Sequence, residues 1–277
     1  GLIWIASTTG IATFNPINFN IHTLSSTPQD NTSINGSRIF AIEESADNTV
    51  WIGTEVGLER WSSLDNSIKH YNHDPEEANS ISAGIVWDVQ RVENHQLLIA
   101  TDNGLDLMDI QTGNFQHVNT LISQTQNKAE GAIYSIVPKS NGWFYISGAS
   151  TLVLLFNPLT GEQNVVFDAE DHPLTQDIEY YTSLLATQDG DLWLGSTTGL
   201  YKLNLRSKNL TQYNTNERTN RLSDNHILGL LETDDASIWV ATENGGINKI
   251  AAGEHGKQKI SFITKQQGLP SNRIQNL

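Results

Sequence analysis

Eight side chains with the means to do chemistry recur at two kinds of place in a repeating chain. Arg38, Tyr180, His226 and Arg273 stand just before apolar runs, while Glu55, Asp102 and Glu243 stand just after short runs that end in Thr. Trp87 lies at the start of one apolar run. Two guanidiniums, an imidazole and a phenol facing three carboxylates have the donors and acceptors to hydrogen-bond a sugar or a small acid. The same residue types also suit an ordinary solvated loop rim. The carboxylates would serve a glycosidase only at about 5 to 9.5 Å apart, a distance that sequence does not supply. Of the eight histidines, only His70 and His73 come close together. A step of three at a strand end puts them on opposite faces, so they are not expected to form a metal pair. No nucleophile motif, phosphate-binding loop or cofactor fingerprint is present. The expectation is therefore no catalytic residue, no metal and no cofactor.

The elements that must position these residues follow from a repeat. Trp51 to Leu58 reads WIGTEVGL, and related copies begin at Trp4, Leu98, Tyr145, Trp193 and Trp239. The starts step by 47, 47, 47, 48 and 46 residues, which signals an array architecture. The last unit is the clearest. Its pattern predicts strands at Ile227 to Thr233, Ser237 to Glu243, Ile247 to Ala252 and Lys259 to Lys265, each apolar and fenced by Gly, Asp or Asn. Four strands of about 6 residues with connections of about 4 to 6 account for the period, and no long stretch shows helical spacing. Asp47-Asn48, Asn141-Gly142 and Asp189-Gly190 supply turns that accept positive φ, as do Thr112-Gly113 and Thr160-Gly161.

Five such units are bracketed by three strands at the start (Leu2 to Ser7, Ile11 to Phe14, Ile21 to Leu24) and one at the end, Arg273 to Leu277. The expected fold is therefore all-β, a single β-propeller domain over residues 1–277 built from four-stranded antiparallel blades. Three strands plus one would complete a sixth blade in a closed ring. Membership of a seven-bladed or tandem propeller is the alternative. Both termini fall inside repeats, as expected for a piece of a longer chain.

Composition narrows the partners. With 31 Asp and Glu against 16 Lys and Arg, the formal charge is −15. Nucleic acid and anionic membranes are therefore poor partners. The absence of Cys excludes a disulfide framework and thiol chemistry. No apolar run is long enough to span a bilayer, and Gly1 to Trp4 does not read as a signal peptide.

The WIGT-x-x-GL core, the later aromatics Tyr71 and Tyr213, and the lead-ins Leu222 to Ile227 (LSDNHI) and Leu269 to Ile274 (LPSNRI) resemble the two-component regulator propeller repeats. The resemblance rests on six in-phase copies. The third departs at Leu98, and the fourth has lost its Gly-Thr and Gly-Leu pairs. It implies the periplasmic sensor region of a membrane-bound bacterial regulator, with a histidine kinase or diguanylate cyclase output outside this piece. A small-molecule or oligosaccharide ligand and a homodimer of the full-length receptor follow as expectations. A propeller glycoside hydrolase or lyase, or a pure protein-interaction platform, are the alternatives.

The tryptophans divide. Trp4, Trp51, Trp193 and Trp239 share one phase and are expected to pack blade against blade. Trp87, aligned with Ala41, Ser135, Ser183 and Gly229, stands where small residues recur. It is expected to plug the central channel or to offer a ring at its mouth.

Overall fold

Short apolar runs of the kind just described cannot bury a face alone, and the chain pairs them into sheets. The computed structural model describes residues 3–7, 10–24, 33–45, 49–65, 67–93, 95–122, 131–253, 258–274 and 277. The first sheet is a meander of β1 (Ile3–Ser7), β2 (Gly10–Phe14) and β3 (Ile21–Leu24). The second contains β4 (Ile39–Glu44), β5 (Thr49–Thr54), β6 (Leu58–Ser62) and β7 (Ile68–Tyr71). The third contains β8 (Val86–Val92), β9 (Gln96–Thr101), β10 (Gly104–Asp109) and β11 (Phe115–Val118). In the fourth are β12 (Ile133–Lys139), β13 (Trp143–Gly148), β14 (Leu152–Phe156) and β15 (Gln163–Asp168). The fifth comprises β16 (Tyr181–Ala186), β17 (Asp191–Ser196), β18 (Leu200–Asn204) and β19 (Leu210–Tyr213). The sixth comprises β20 (Ile227–Glu232), β21 (Ile238–Thr242), β22 (Ile247–Ala252) and β23 (Gln258–Ile263). Six small antiparallel sheets in chain order, five of them four-stranded, are the fold of a β-propeller.

The chain forms two compact units, Gly1–Ile136 with Asn157–Gln163, and Val137–Phe156 with Asn164–Leu277. In the first, β4 packs on β8 and β1 on β4. Its core includes Trp51, Tyr71, Val86, Ile99 and Met108. Trp51 and Tyr71 lie 5.8 Å apart, and Tyr71 continues to Phe115 at 5.9 Å. Trp4 meets Trp61 edge-on at 5.1 Å. In the second unit, β16 packs on β20 and β13 on β16. Trp193 lies 5.2 Å from Tyr213 beside Leu222, Ile227 and Val240. Trp51 and Trp193 are fully buried, while Trp4 and Trp239 keep partial exposure.

Four of the five expected tight turns lie among the described residues, and each uses the positive φ expected of it. Asn141 and Gly142 stand at 64° and 72°, with Gly113, Gly161 and Gly190 at 80°, 72° and 86°. Asp47-Asn48 lies outside the described residues, as do Leu2 and the Gln275-Asn276 pair. The strand expected at Arg273 to Leu277 does not form among the described residues, and the first sheet has three strands. The reason is local. The Ile274 N–H donates to the Thr242 carbonyl at 3.1 Å, and the Asn272 carbonyl accepts from Gly246 N–H at 2.8 Å. This lead-in is tied to the loop end of β21.

Candidate functional site

The recurring Thr-x-x-Gly explains how the carboxylates are presented. The Thr54 hydroxyl donates to the Gly57 carbonyl at 2.9 Å and accepts from Val56 N–H at 3.2 Å. Thr101 closes on Gly104 (3.2 Å) and Asn103 (3.1 Å) in the same way. Ser196 and Thr242 do so with Gly199 and Gly246. Each hydroxyl fixes the turn between second and third strands, so the residue following it is aimed alike in these four sheets. Glu55, Asp102 and Glu243 all occupy that position.

The lead-ins carrying Arg38 and His226 are held by a second recurring device. A residue near the start of the third strand offers a buried oxygen to a lead-in N–H. Glu59 Oε1 accepts from Asn35 (3.1 Å), Asp106 Oδ2 from Ser82 (2.8 Å) and Asn248 Oδ1 from Ser223 (2.9 Å). All three acceptors are fully buried. Glu59 is backed by His70 and Asp106 by His117, whose Nδ1 lies 2.7 Å away. Desolvation pushes the Glu59 carboxyl above its ordinary value, with His70 and the Asn35 N–H opposing. His73 sits 2.7 Å from the Ile81 carbonyl. Both histidines of the close pair therefore serve structure, and no cluster of three metal-binding side chains occurs among the described residues.

In the first unit, Glu55 accepts from Ser37 N–H (2.9 Å), the Ser37 hydroxyl (3.0 Å) and Arg38 N–H (2.8 Å). Desolvation works against the Glu55 charge, but these donations outweigh it and hold the carboxyl below its ordinary value. The Arg38 guanidinium is exposed and lies over the Phe40 ring at 5.0 Å. The Trp87 indole N–H donates to Asp102 Oδ1 at 2.6 Å. Phe40 lies 4.6 Å from Trp87, which in turn meets Tyr134 edge-on at 5.3 Å. The structure therefore joins Arg38, Glu55, Trp87 and Asp102 in one neighbourhood and adds Phe40 and Tyr134.

Strand register corrects the alignment of Trp87 with Ala41, Ser135, Ser183 and Gly229. Val86 pairs with Thr101 and Asp88 with Ala100, so Trp87 is the extra residue of a β-bulge. Ile39 and Ala41 straddle Phe40 in the same way, and Ile227 and Gly229 straddle Leu228. Trp87 therefore matches Phe40, Thr182 and Leu228. Asp88 is the residue that matches the small ones. Phe40, Trp87 and Tyr134 are spaced by 47, the repeat step itself, which is the signal that would have found them.

Asp88 is a carboxylate where the equivalent positions hold Ala41, Ser183 and Gly229. Its oxygens accept from Val89 N–H at 2.8 Å and Ile136 N–H at 2.7 Å. Desolvation pushes its carboxyl up to about 7 against these donations, and the Glu43 charge adds to the rise.

In the second unit, His226 Nδ1 lies 2.6 Å from Glu243 Oε2, and Arg273 Nη2 lies 3.6 Å from Glu243 Oε1. The three form one rim cluster, in which Glu243 N–H also donates to the His226 carbonyl at 3.0 Å. Asp224 accepts from Asn244 N–H at 2.7 Å beside it. Tyr180 is half-buried just before β16. A separate polar notch of about 250 Å³ lies between Asp191, Lys202, Asn204 and Thr211. Its charges are met internally, with Lys202 Nζ 2.7 Å from Asp191.

With this geometry in hand, likeness to known proteins divides by extent. No family model matches the chain. A stretch of 77 residues, 26% of this chain, is 32% identical to "Histidine kinase P4" of Formosa agariphila, of which it covers 6%. The whole chain superposes on the extracellular domain assigned to the hybrid two-component system BT3049 of B. thetaiotaomicron, with a TM-score of 0.74 and 18% identity. It covers 35% of that structure. The whole chain also matches the extracellular domain assigned to the hybrid system BT4673 of the same organism, with a TM-score of 0.58, 14% identity and 46% of that structure covered. The chain thus spans less than half of each protein it matches here. These structural neighbours are extracellular domains of two-component type, the class that the repeats resemble.

Proposed function

We propose that this chain is the extracytoplasmic, ligand-sensing propeller of a transmembrane two-component-type regulator. In this reading it faces the periplasm and takes a small molecule, with carbohydrate as the ligand class. The observation that carries the reading is the match of the entire chain, end to end, to the extracellular domain of BT3049. A sensor works when its ligand binds one of two receptor states better than the other. The rim suits that role, because a rigid repeated scaffold presents side chains that differ from sheet to sheet. Output through a kinase or cyclase, and a homodimer of the full receptor, belong to the same proposal.

The hydrolase alternative needs one carboxyl free to act as an acid and another as a base. Glu55 is committed to three donors and favours its charged form. Asp102 is taken by Trp87, and Glu243 by His226 and Arg273. These commitments favour binding over turnover. The test is to record melting temperature and product release together over a panel of oligosaccharides. The expected result is a saturable rise in melting temperature with the sugar recovered intact. Cleaved or eliminated products would overturn the non-enzymatic reading.

A further inference from the structure

A bulge at the start of a first strand sets one residue outside the regular ladder, and its side chain can serve another purpose. This position is aromatic at Phe40 and Trp87, and Tyr134 follows Trp87 by the same step of 47 residues. All three are half-buried. Their rings run in series, 4.6 Å from Phe40 to Trp87 and 5.3 Å from Trp87 to Tyr134. The corresponding bulges at Thr182 and Leu228 are not aromatic, and the Thr182 hydroxyl instead donates to the Ile227 carbonyl at 2.6 Å. The ring series is therefore a local feature and not a requirement of the repeat.

Two further observations point to a ligand. The Trp87 indole is oriented from its edge by the 2.6 Å bond to Asp102, and a ring held in this way is pre-organised for stacking. Arg38 lies on the Phe40 face and has no carboxylate within ion-pair distance among the described residues. The loop carboxylate Glu55 is occupied by Ser37 and by the Arg38 main chain. This happens in a chain where acidic groups outnumber basic ones 31 to 16. An exposed guanidinium without an anion, parked on an aromatic ring, is preset for the planar oxygens of a carboxylate or sulfate.

Building on the sensor reading above, we propose that Phe40, Trp87 and Tyr134 form the stacking surface of a ligand site and that Arg38 is its anion-recognising residue. The ligand class is an acidic sugar. The apolar face of a sugar ring lies along the aromatic series, and its carboxylate or sulfate ester meets Arg38. Asp102 acts as a positioning residue, aligning the indole and accepting from sugar hydroxyls with its other oxygen.

Titration calorimetry on the 277-residue chain tests this with four probes: a neutral oligoglucoside, an oligouronate of matching length, a sulfated oligosaccharide and inorganic sulfate. The expected result is saturable binding of the oligouronate or the sulfated sugar, at least about tenfold tighter than the neutral sugar. Which acidic sugar wins assigns the anion. Arg38→Gln should erase that preference while leaving the residual neutral binding. Trp87→Ala should weaken all sugars, Trp87→Phe should restore most of that loss, and Asp102→Asn should lie between them. Circular dichroism and melting confirm that each variant is folded. Acidic-sugar binding unchanged in both Arg38→Gln and Trp87→Ala would overturn the site but leave the sensor reading in place. So would a preference for the neutral sugar. Sulfate competing as well as the oligosaccharide would reduce the site to an anion contact and overturn the sugar assignment. No saturable binding of any sugar would overturn this inference and the carbohydrate reading together.

Discussion

The two compact units solve one structural problem with different chemistry. In the unit formed mainly by residues 1–136, the lead-ins are held by buried carboxylates, Glu59 and Asp106, each backed by a histidine. In the other unit the same third-strand position holds Asn248, which grips Ser223 without charge, and Tyr201, whose phenol accepts from Gln212 Nε2 at 3.0 Å. The geometry of the clasp is kept while its charge changes. An amide acceptor suffices for the clasp, and the charged version adds a buried carboxylate that the neutral one does without.

Breaking the clasps should give the largest effects. Glu59→Ala leaves the largely buried His70 facing a gap and an orphaned lead-in N–H, at an expected cost of about 3–5 kcal/mol, and Asp106→Ala should cost less because His117 is half exposed. Asn248→Ala orphans only the neutral N–H and should cost about 1–3 kcal/mol. Urea unfolding followed by tryptophan emission measures both. Equal losses would mean that the charge contributes nothing, and the comparison would fail.

A pH-dependent effect is expected at Asp88, which has no charged counterpart at Ser183 or Gly229. Its folded-state pKa is raised from 3.8 to about 7. The neutral form is thus favoured by folding. The stability linked to Asp88 is fully present below the unfolded value near 3.8 and is lost as pH rises through about 7. Melting temperature should therefore fall between about pH 4 and about pH 7, where stability drops by at most about 1.4 kcal/mol per pH unit. Asp88→Asn should flatten that slope, at the cost of about 1 kcal/mol for a lost backbone hydrogen bond. A wild-type profile already flat over this range would rule the effect out.

The last substitution pair should show no difference between the units. Gly57 and Gly199 stand at φ of 152° and 151°, and an added Cβ would come within 2.5 Å of the Tyr71 carbonyl and 2.8 Å of the Tyr213 carbonyl. Gly57→Ala and Gly199→Ala should each cost about 1–3 kcal/mol, read as matching drops in melting temperature. A large disparity would show that the two loops are not the same device.

The rim is partly legible in the sequence. Arg38, Glu55 and Asp102 fall at loop positions that the repeat marks, and in the structure Arg38 and Glu55 share a loop neighbourhood. His226, Glu243 and Arg273 likewise come together as one cluster. Phe40, Tyr134 and Asp88 escape a reading of the pattern, because it aligns the first strands one residue out. On a strand, a slip of one residue exchanges the two faces, which sets Trp87 beside Ala41 and hides Asp88. The buried partners of His70 and His117 escape as well, since a charged residue in an amphipathic strand reads as solvent-facing.

The strands, their order and the tight turns are decided locally, by side-chain alternation and by residues that accept positive φ, and these are properties a sequence carries on its face. The bulges, the clasps and the fate of the segment from Arg273 onward are decided only in three dimensions. Each depends on which backbone donor meets which acceptor across a ladder or between a loop and a strand. A periodic sequence offers several such pairings one residue apart, and only packing selects among them.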